Sequence, residues 1–153
     1  ELKNILTWYK VNAMPNITKR TFTHSTEFVL WFVKGKNWIF NYDEVKKFNP
    51  NKTLKGEDKQ MRDFLDFIEL PIVQGKERLR GKDGRALHPT QKPVKLLELV
   101  ILASSNEGDI VLDPFFGSGT TGYVAQRLDR NWIGIETSKK YIKAAKNRLK
   151  NVF

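Results

Sequence analysis

The chain has no cysteine. That excludes a disulfide scaffold and any thiolate metal site, and it is compatible with a reducing compartment. Histidine is almost as scarce: His24 and His88 are the two present, and neither stands in a metal-ligand pattern, so no metal site is expected. No apolar run approaches the roughly 20 residues that a helical membrane span needs, and the N-terminus carries no signal-peptide pattern. A cytoplasmic protein with no membrane partner is the default expectation. Internal repeats and low-complexity tracts are also lacking.

Positive charge, by contrast, is abundant. Lys and Arg number 27 against 17 Asp and Glu, a net charge of +10. Such a balance points to an anionic partner, nucleic acid being the commonest. The excess is no tail: residues 1–33 carry +2, 34–85 carry +4 and 86–153 carry +4. A soluble basic protein with no such partner shows the same spread, so charge leaves both readings open. At 153 residues with 40% apolar and 12% aromatic content, the composition is that of one globular domain. The chain opens on Glu1 and runs almost at once into a strand-like segment, which suggests a portion of a longer protein, cleavage of a tag being the plainer alternative.

Residues 4–11 and 26–34 are rich in β-branched and aromatic side chains and predict strands. The second is apolar on both alternating faces, Phe28/Leu30/Phe32 and Val29/Trp31/Val33, and so predicts burial on both sides. The intervening loop, Asn12 to Asn16 followed by Lys19 and Arg20, has a basic rim. After a short run at 38–40, residues 41–87 are lysine-rich and weakly periodic. Met61, Phe64, Leu65 and Ile68 predict a helix over Asp58–Leu70, and 74–87 reads as an exposed, flexible basic loop. Pro93 predicts the opening of a helix to about Ser105 with Leu96, Leu97, Val100 and Ile101 inward. Strand 109–113, helix 120–128, strand 132–136 and helix 138–149 then give a β-α-β-α order, hence a parallel sheet covered by helices. Thr137 or Ser138 is expected to cap the last helix.

The most informative stretch is Asp109 to Gly122. A short apolar strand ends in Asp113-Pro114, and Gly117, Gly119 and Gly122 follow at G-x-G-x-x-G spacing. Glu136 ends the next apolar run, where a ribose would lie. Glycines alone are a weak signal, since many such turns only allow close helix–strand packing. Asp113 helps to sort the ligand classes. A carboxylate there would repel the pyrophosphate of a dinucleotide but suits the cationic S-adenosylmethionine. It also suits a plain capping role.

Asp-Pro-Phe-Phe-Gly-Ser-Gly-Thr-Thr-Gly, preceded about 20 residues upstream by His-Pro-Thr-Gln-Lys-Pro, resembles the DNA amino-methyltransferases of restriction–modification systems. The order matches their circularly permuted β class, with Lys10, Asn12, Pro15 and Glu27 also in place. The resemblance implies an α/β, Rossmann-like S-adenosylmethionine-dependent methyltransferase fold with an incomplete sheet and an inserted target-recognition region. Three parts follow from it: a strand hairpin of the core (1–34), the recognition region (35–87), and the S-adenosylmethionine-binding β-α-β-α portion (88–153). Asp113, Phe115, Gly117, Ser118, Gly119 and Thr120 would form the cofactor turn, Glu136 would hold the ribose, and Thr90, Gln91 and Lys92 would lie beside the methionine end. His88 reads as a turn residue fixed by Pro89, with no catalytic role.

The family's catalytic tetrapeptide, of Asp-Pro-Pro-Tyr type, does not occur in the 153 residues. In the permuted order it would precede residue 1. The chain is therefore expected to be the C-terminal portion of a methyltransferase, inactive alone and completed by further sequence, a separate chain or a homodimer. The substrate is double-stranded DNA and the acceptor the exocyclic amine of a flipped base, adenine ahead of cytosine. Lys46, Lys47, Lys52, Lys55 and Lys59 are candidate phosphate contacts, and Arg78, Arg80 and Arg85 candidate groove contacts. A NAD-dependent oxidoreductase and a non-catalytic DNA-binding specificity module remain as alternatives.

Overall fold

The computed structural model describes residues 1–46 and 67–150, with the backbone alone for Lys46. They fall into two compact units, Glu1–Ile72 and Val73–Phe153.

In the first unit, β1 (Leu2–Tyr9) pairs antiparallel with β2 (Thr26–Phe32), Leu6 standing opposite Val29 and Tyr9 opposite Thr26. A short helix, α1 (Tyr42–Lys46), follows, and β3 (Phe67–Glu69) then adds to β1 in parallel, giving the order β2-β1-β3. Trp8 anchors this sheet. Its ring is buried, and its indole N–H donates to the Leu70 carbonyl at 2.8 Å. The Lys10 ammonium lies 3.4 Å from Glu27 across the strand pair, and Asn12 Oδ1 accepts the Ile72 N–H at 2.7 Å. These contacts explain why Lys, Asn and Glu stand at those positions.

Two expectations change here. The helix over Asp58–Leu70 lies outside the described residues up to position 66, and its end is strand instead. Pairing with β1, burial of Ile68 and stacking of Phe67 on Tyr9 at 5.8 Å outweigh a 3.6-residue pattern. Strand β2 is covered on one side only. Phe40 stacks on Trp31 at 5.1 Å, whereas Phe28, Leu30 and Phe32 on the opposite face are exposed, with nothing over them among the described residues.

The second unit is the expected β-α-β-α. Helix α2 (Val94–Ser104) follows Pro93, and its first N–H (Val94) is satisfied by the Glu77 carboxylate at 2.7 Å. Its buried residues are Leu96, Leu99 and Ile101, so Leu99 is enclosed where Val100 was expected. Strand β4 (Ile110–Asp113) passes through α3 (Thr120–Arg127) into β5 (Asn131–Gly134), and the two strands pair in parallel, Asp113 opposite Gly134. Helix α4 (Lys139–Leu149) closes the unit, capped by Ser138, whose hydroxyl accepts the Tyr141 N–H. Ile101, Val124 and Ala125 form the core, with Val111, Tyr123 and Trp132 packed against them. Helices thus cover one face of the strand pair. The other, with Ile110, Leu112 and Ile133, is exposed, so the expected cover by helices is found on one face.

Candidate cofactor site

The site gathers where β4 and β5 end. Both carboxylate oxygens of Asp113 shape the turn. Its Oδ1 accepts the Phe115 N–H at 2.9 Å and its Oδ2 the Thr121 hydroxyl at 2.6 Å. The carboxylate therefore sits against the first turn of α3 and offsets the positive end of that helix.

Beneath the turn lies Phe116, buried and stacked on Trp132 with ring centroids 5.1 Å apart. A Cβ on Gly134 would stand 2.5 Å from its ring, and one on Gly122 would stand 2.6 Å away. Gly119 has φ 75°, and its Cβ would meet that of Ala145 at 2.8 Å. The second and third glycines of the motif thus serve close packing and a left-handed turn. Phe116 and Gly134 escaped the sequence reading. Their signal was a second Phe directly before the glycines and a glycine inside a short apolar strand.

Glu136 receives two backbone hydrogen bonds, from Gly117 to Oε2 at 2.8 Å and from Ser138 to Oε1 at 2.7 Å. The Ser138 N–H is the main cause holding its carboxyl below the ordinary value of 4.5, with Gly117 and Thr137 adding and desolvation opposing. Each oxygen keeps a lone pair for a further donor. Phe115 is 90% exposed beside this carboxylate's turn.

His88 closes the other side. Its Nδ1 accepts the Thr90 N–H at 3.3 Å, its ring packs on Tyr141 at 4.5 Å, and its Nε2 would stand 3.0 Å from a Cβ on Gly117. Desolvation holds the imidazole below its usual 6.5. His88 is therefore a wall of the turn, more involved than a residue fixed only by Pro89.

The other expected cofactor residues divide. Gln91 is buried and its amide is consumed: Oε1 accepts the Leu79 N–H at 3.0 Å, and Nε2 donates to the Glu77 carbonyl at 2.7 Å. It clamps the 75–80 segment to the entry of α2. Thr120 is also buried, its hydroxyl accepting from Arg148 at 2.9 Å, and Ser118 is enclosed beneath the turn. The side chain of Thr90 is exposed and that of Lys92 half-buried.

Residues 79–87 form a closed antiparallel turn, where a flexible loop was expected. Leu87 N–H bonds the Leu79 carbonyl at 2.9 Å, and Gly81 N–H bonds that of Arg85 at 2.8 Å. The three arginines then part ways. Arg78 donates to the Pro89 carbonyl at 3.1 Å and Arg80 to that of Gly84 at 2.7 Å, whereas Arg85 is exposed and has no side-chain partner among the described residues. Lys47, Lys52, Lys55 and Lys59, and the side chain of Lys46, lie outside the described residues.

A groove of about 610 Å³ runs along α4, lined by Trp132, Ile142, Lys143 and Lys146 among others, and it includes none of the turn residues. The convergence of Asp113, Glu136 and His88, not that groove, marks the candidate site. No cluster of metal-ligating side chains occurs among the described residues.

The DNA methylase family of N6/N4 methyltransferases matches residues 1–147. The chain belongs to this family. It is 44% identical over 152 aligned positions to the type II methyltransferase M2.LlaDCHI of Lactococcus lactis subsp. cremoris, and 45% identical to M2.DpnII of Streptococcus pneumoniae. Each alignment covers 97% of this chain and 51% of the relative. The chain therefore spans about half the length of these relatives. Among solved structures, the M1.HpyAVI complex with S-adenosylmethionine superposes with a TM-score of 0.70 at 41% identity, over 97% of this chain and 62% of that one. The cytosine-N4-specific PvuII methyltransferase gives 0.71 at 24% identity over 94% and 49%, a likeness of fold. In this DNA methylase chain, the glycine turn and the His88–Pro93 segment are thus brought into one site by the fold.

Proposed function

We propose that this chain is the cofactor-binding portion of a restriction–modification DNA methyltransferase. The enzyme would transfer a methyl group from S-adenosylmethionine to the exocyclic amine of a base in double-stranded DNA, adenine in the reading the resemblance favours and cytosine in the alternative. The observation that carries this is the Glu136 carboxylate, held at the strand end by two backbone N–H groups with lone pairs left over. It suits the two hydroxyls of a ribose. Asp113, turned into the start of α3, places negative charge where a pyrophosphate would need positive potential, which supports S-adenosylmethionine over NAD.

When bound, S-adenosylmethionine supplies a methyl group on a sulfonium. The chain's own residues bind and orient: Glu136 would accept ribose hydroxyls, Gly117 and Gly119 add no side chain to the turn, and exposed Phe115 offers an apolar ring face. In this reading Thr90 and Lys92, on the segment that carries His88, would lie beside the methionine end. The tetrapeptide that would hold the acceptor amine of the base does not occur in these 153 residues, and in this reading it is supplied by the same protein or by a partner chain. The open apolar faces of both strand groups support that reading. The reading keeps the division into 1–34, 35–87 and 88–153 as part of the proposal, with 35–87 facing DNA in the enzyme and exposed Arg85 as a groove contact. We place the whole enzyme with cytoplasmic DNA.

Calorimetry of this chain with S-adenosylmethionine and with NAD tests the reading. Binding of the former alone is expected, and preferential NAD binding overturns it. Methyl transfer to DNA by the 153 residues alone would refute the half-enzyme part.

A further inference from the structure

The loop between β1 and β2 carries an unusual load for a solvent-facing turn. Phe22 is 97% exposed, Ile17 88% and Met14 70%. The loop is nevertheless a built object. Its base is closed by Lys10 N–H to the Ser25 carbonyl at 2.7 Å, and Asn12 ties its first arm to Ile72. Asn16 staples its interior: its Oδ1 accepts the Thr18 N–H at 3.0 Å and the Thr18 hydroxyl at 2.7 Å, and its amide donates to the Thr21 carbonyl at 3.0 Å and to the Thr21 hydroxyl. Lys19 takes a left-handed conformation, φ 54°, which is uncommon for a residue with a Cβ. Polar side chains thus hold the loop closed from within, while apolar ones point to water.

We propose that this loop is a wedge that enters the base stack of duplex DNA, Phe22 leading with Ile17 beside it. The proposal rests on the DNA methyltransferase reading and adds a contact surface to it. Its partner is argued from charge. Residues 11–26 hold no Asp or Glu, while Lys19 and Arg20 stand exposed between the two apolar tips. Cations beside apolar side chains suit contact with the phosphates next to an opened base step. Chemistry on an exocyclic amine requires a base out of the stack, and extrusion leaves a gap that an aromatic ring fills well.

The test compares two fluorescent duplexes of mixed sequence, roughly 25 base pairs long, one intact and one with a single abasic site that mimics the gap. Anisotropy with this chain is expected to give about tenfold tighter binding to the abasic duplex. Phe22→Ala removes that preference and Phe22→Trp retains it. Substituting Lys19→Ala and Arg20→Ala together leaves the preference but lowers the salt dependence of both affinities by about two in log–log slope. All these positions are exposed, so folding by circular dichroism is expected to be unchanged. Absence of the preference, or its survival in the combined Phe22→Ala and Ile17→Ala variant, overturns the wedge. So does Phe22-dependent binding to anionic phospholipid vesicles in place of DNA. S-adenosylmethionine affinity measured on the same proteins separates the two readings: retained cofactor binding with no abasic preference sinks the wedge alone.

Discussion

Gly117 donates its backbone N–H to Glu136 across 19 residues, at 2.8 Å, so the first glycine of the turn and the carboxylate proposed to hold the ribose are one unit. The bond orients the carboxylate before any ligand arrives, and substituting either residue affects both.

Glu136→Ala removes the acceptor for the ribose and unpairs two backbone donors. S-adenosylmethionine affinity is expected to fall about tenfold or more, with Glu136→Gln intermediate, as read by calorimetry. The folded-state pKa lies below 4.5. Cofactor affinity should therefore hold steady down to that value, and the turn's contribution to stability is lost only as pH falls through the lower folded value. A decline of affinity that begins near neutrality and persists in Glu136→Gln would contradict this.

His88 gives the opposite end of the pH range. Desolvation keeps its pKa below 6.5, with Lys92 and Arg78 acting the same way and Glu136 opposing. The unfolded chain then binds the proton more readily, so stability is lost as pH falls below 6.5 toward the folded value. The His88 ring protons should titrate with a midpoint under 6.5 by NMR. His88→Asn should flatten the dependence of Tm across roughly pH 5 to 7.

Gly134→Ala places a methyl group into the Phe116 ring. A destabilisation of about 1–3 kcal/mol is expected, partly recovered by adding Phe116→Leu, which a denaturation cycle measures. Gly119→Ala combines a left-handed backbone with the Ala145 contact and should cost about 2–4 kcal/mol. Additive effects of Gly134→Ala and Phe116→Leu would refute the close packing of Gly134 against the Phe116 ring.

Gln91→Leu keeps the volume but leaves Leu79 N–H and the Glu77 carbonyl without their partner. The expected cost is about 1–3 kcal/mol, and trypsin should cleave at Arg80 and Arg85 sooner than in the parent chain. If the segment stays protected while cofactor affinity collapses, Gln91 is a cofactor ligand after all.

Much of the fold was legible because its signals are local. Strand β1, strand β2, the β-α-β-α order and the Ser138 cap each follow from side-chain type and period within a dozen residues, and the paired motifs identified the family. The geometry of the candidate site was legible where spacing alone places a residue: Asp113, the glycines and Glu136 do meet around one turn. It was not legible where a side chain had two uses. Gln91, Thr120 and Arg78 are polar residues in the right segment, yet each is bound to protein groups brought near only by folding.

The sequence by itself determined the chemistry on offer: a basic, cysteine-free chain with a glycine turn, an acidic residue after the next strand, and a loop free of carboxylates. The tertiary structure decided which of those groups remain available. Hydrogen bonds made on folding occupy Gln91 and Arg78, while Glu136 keeps lone pairs and Phe115, Arg85 and Phe22 stay exposed. Residue type and spacing set what a side chain can do. Only packing sets what it has left to do it with.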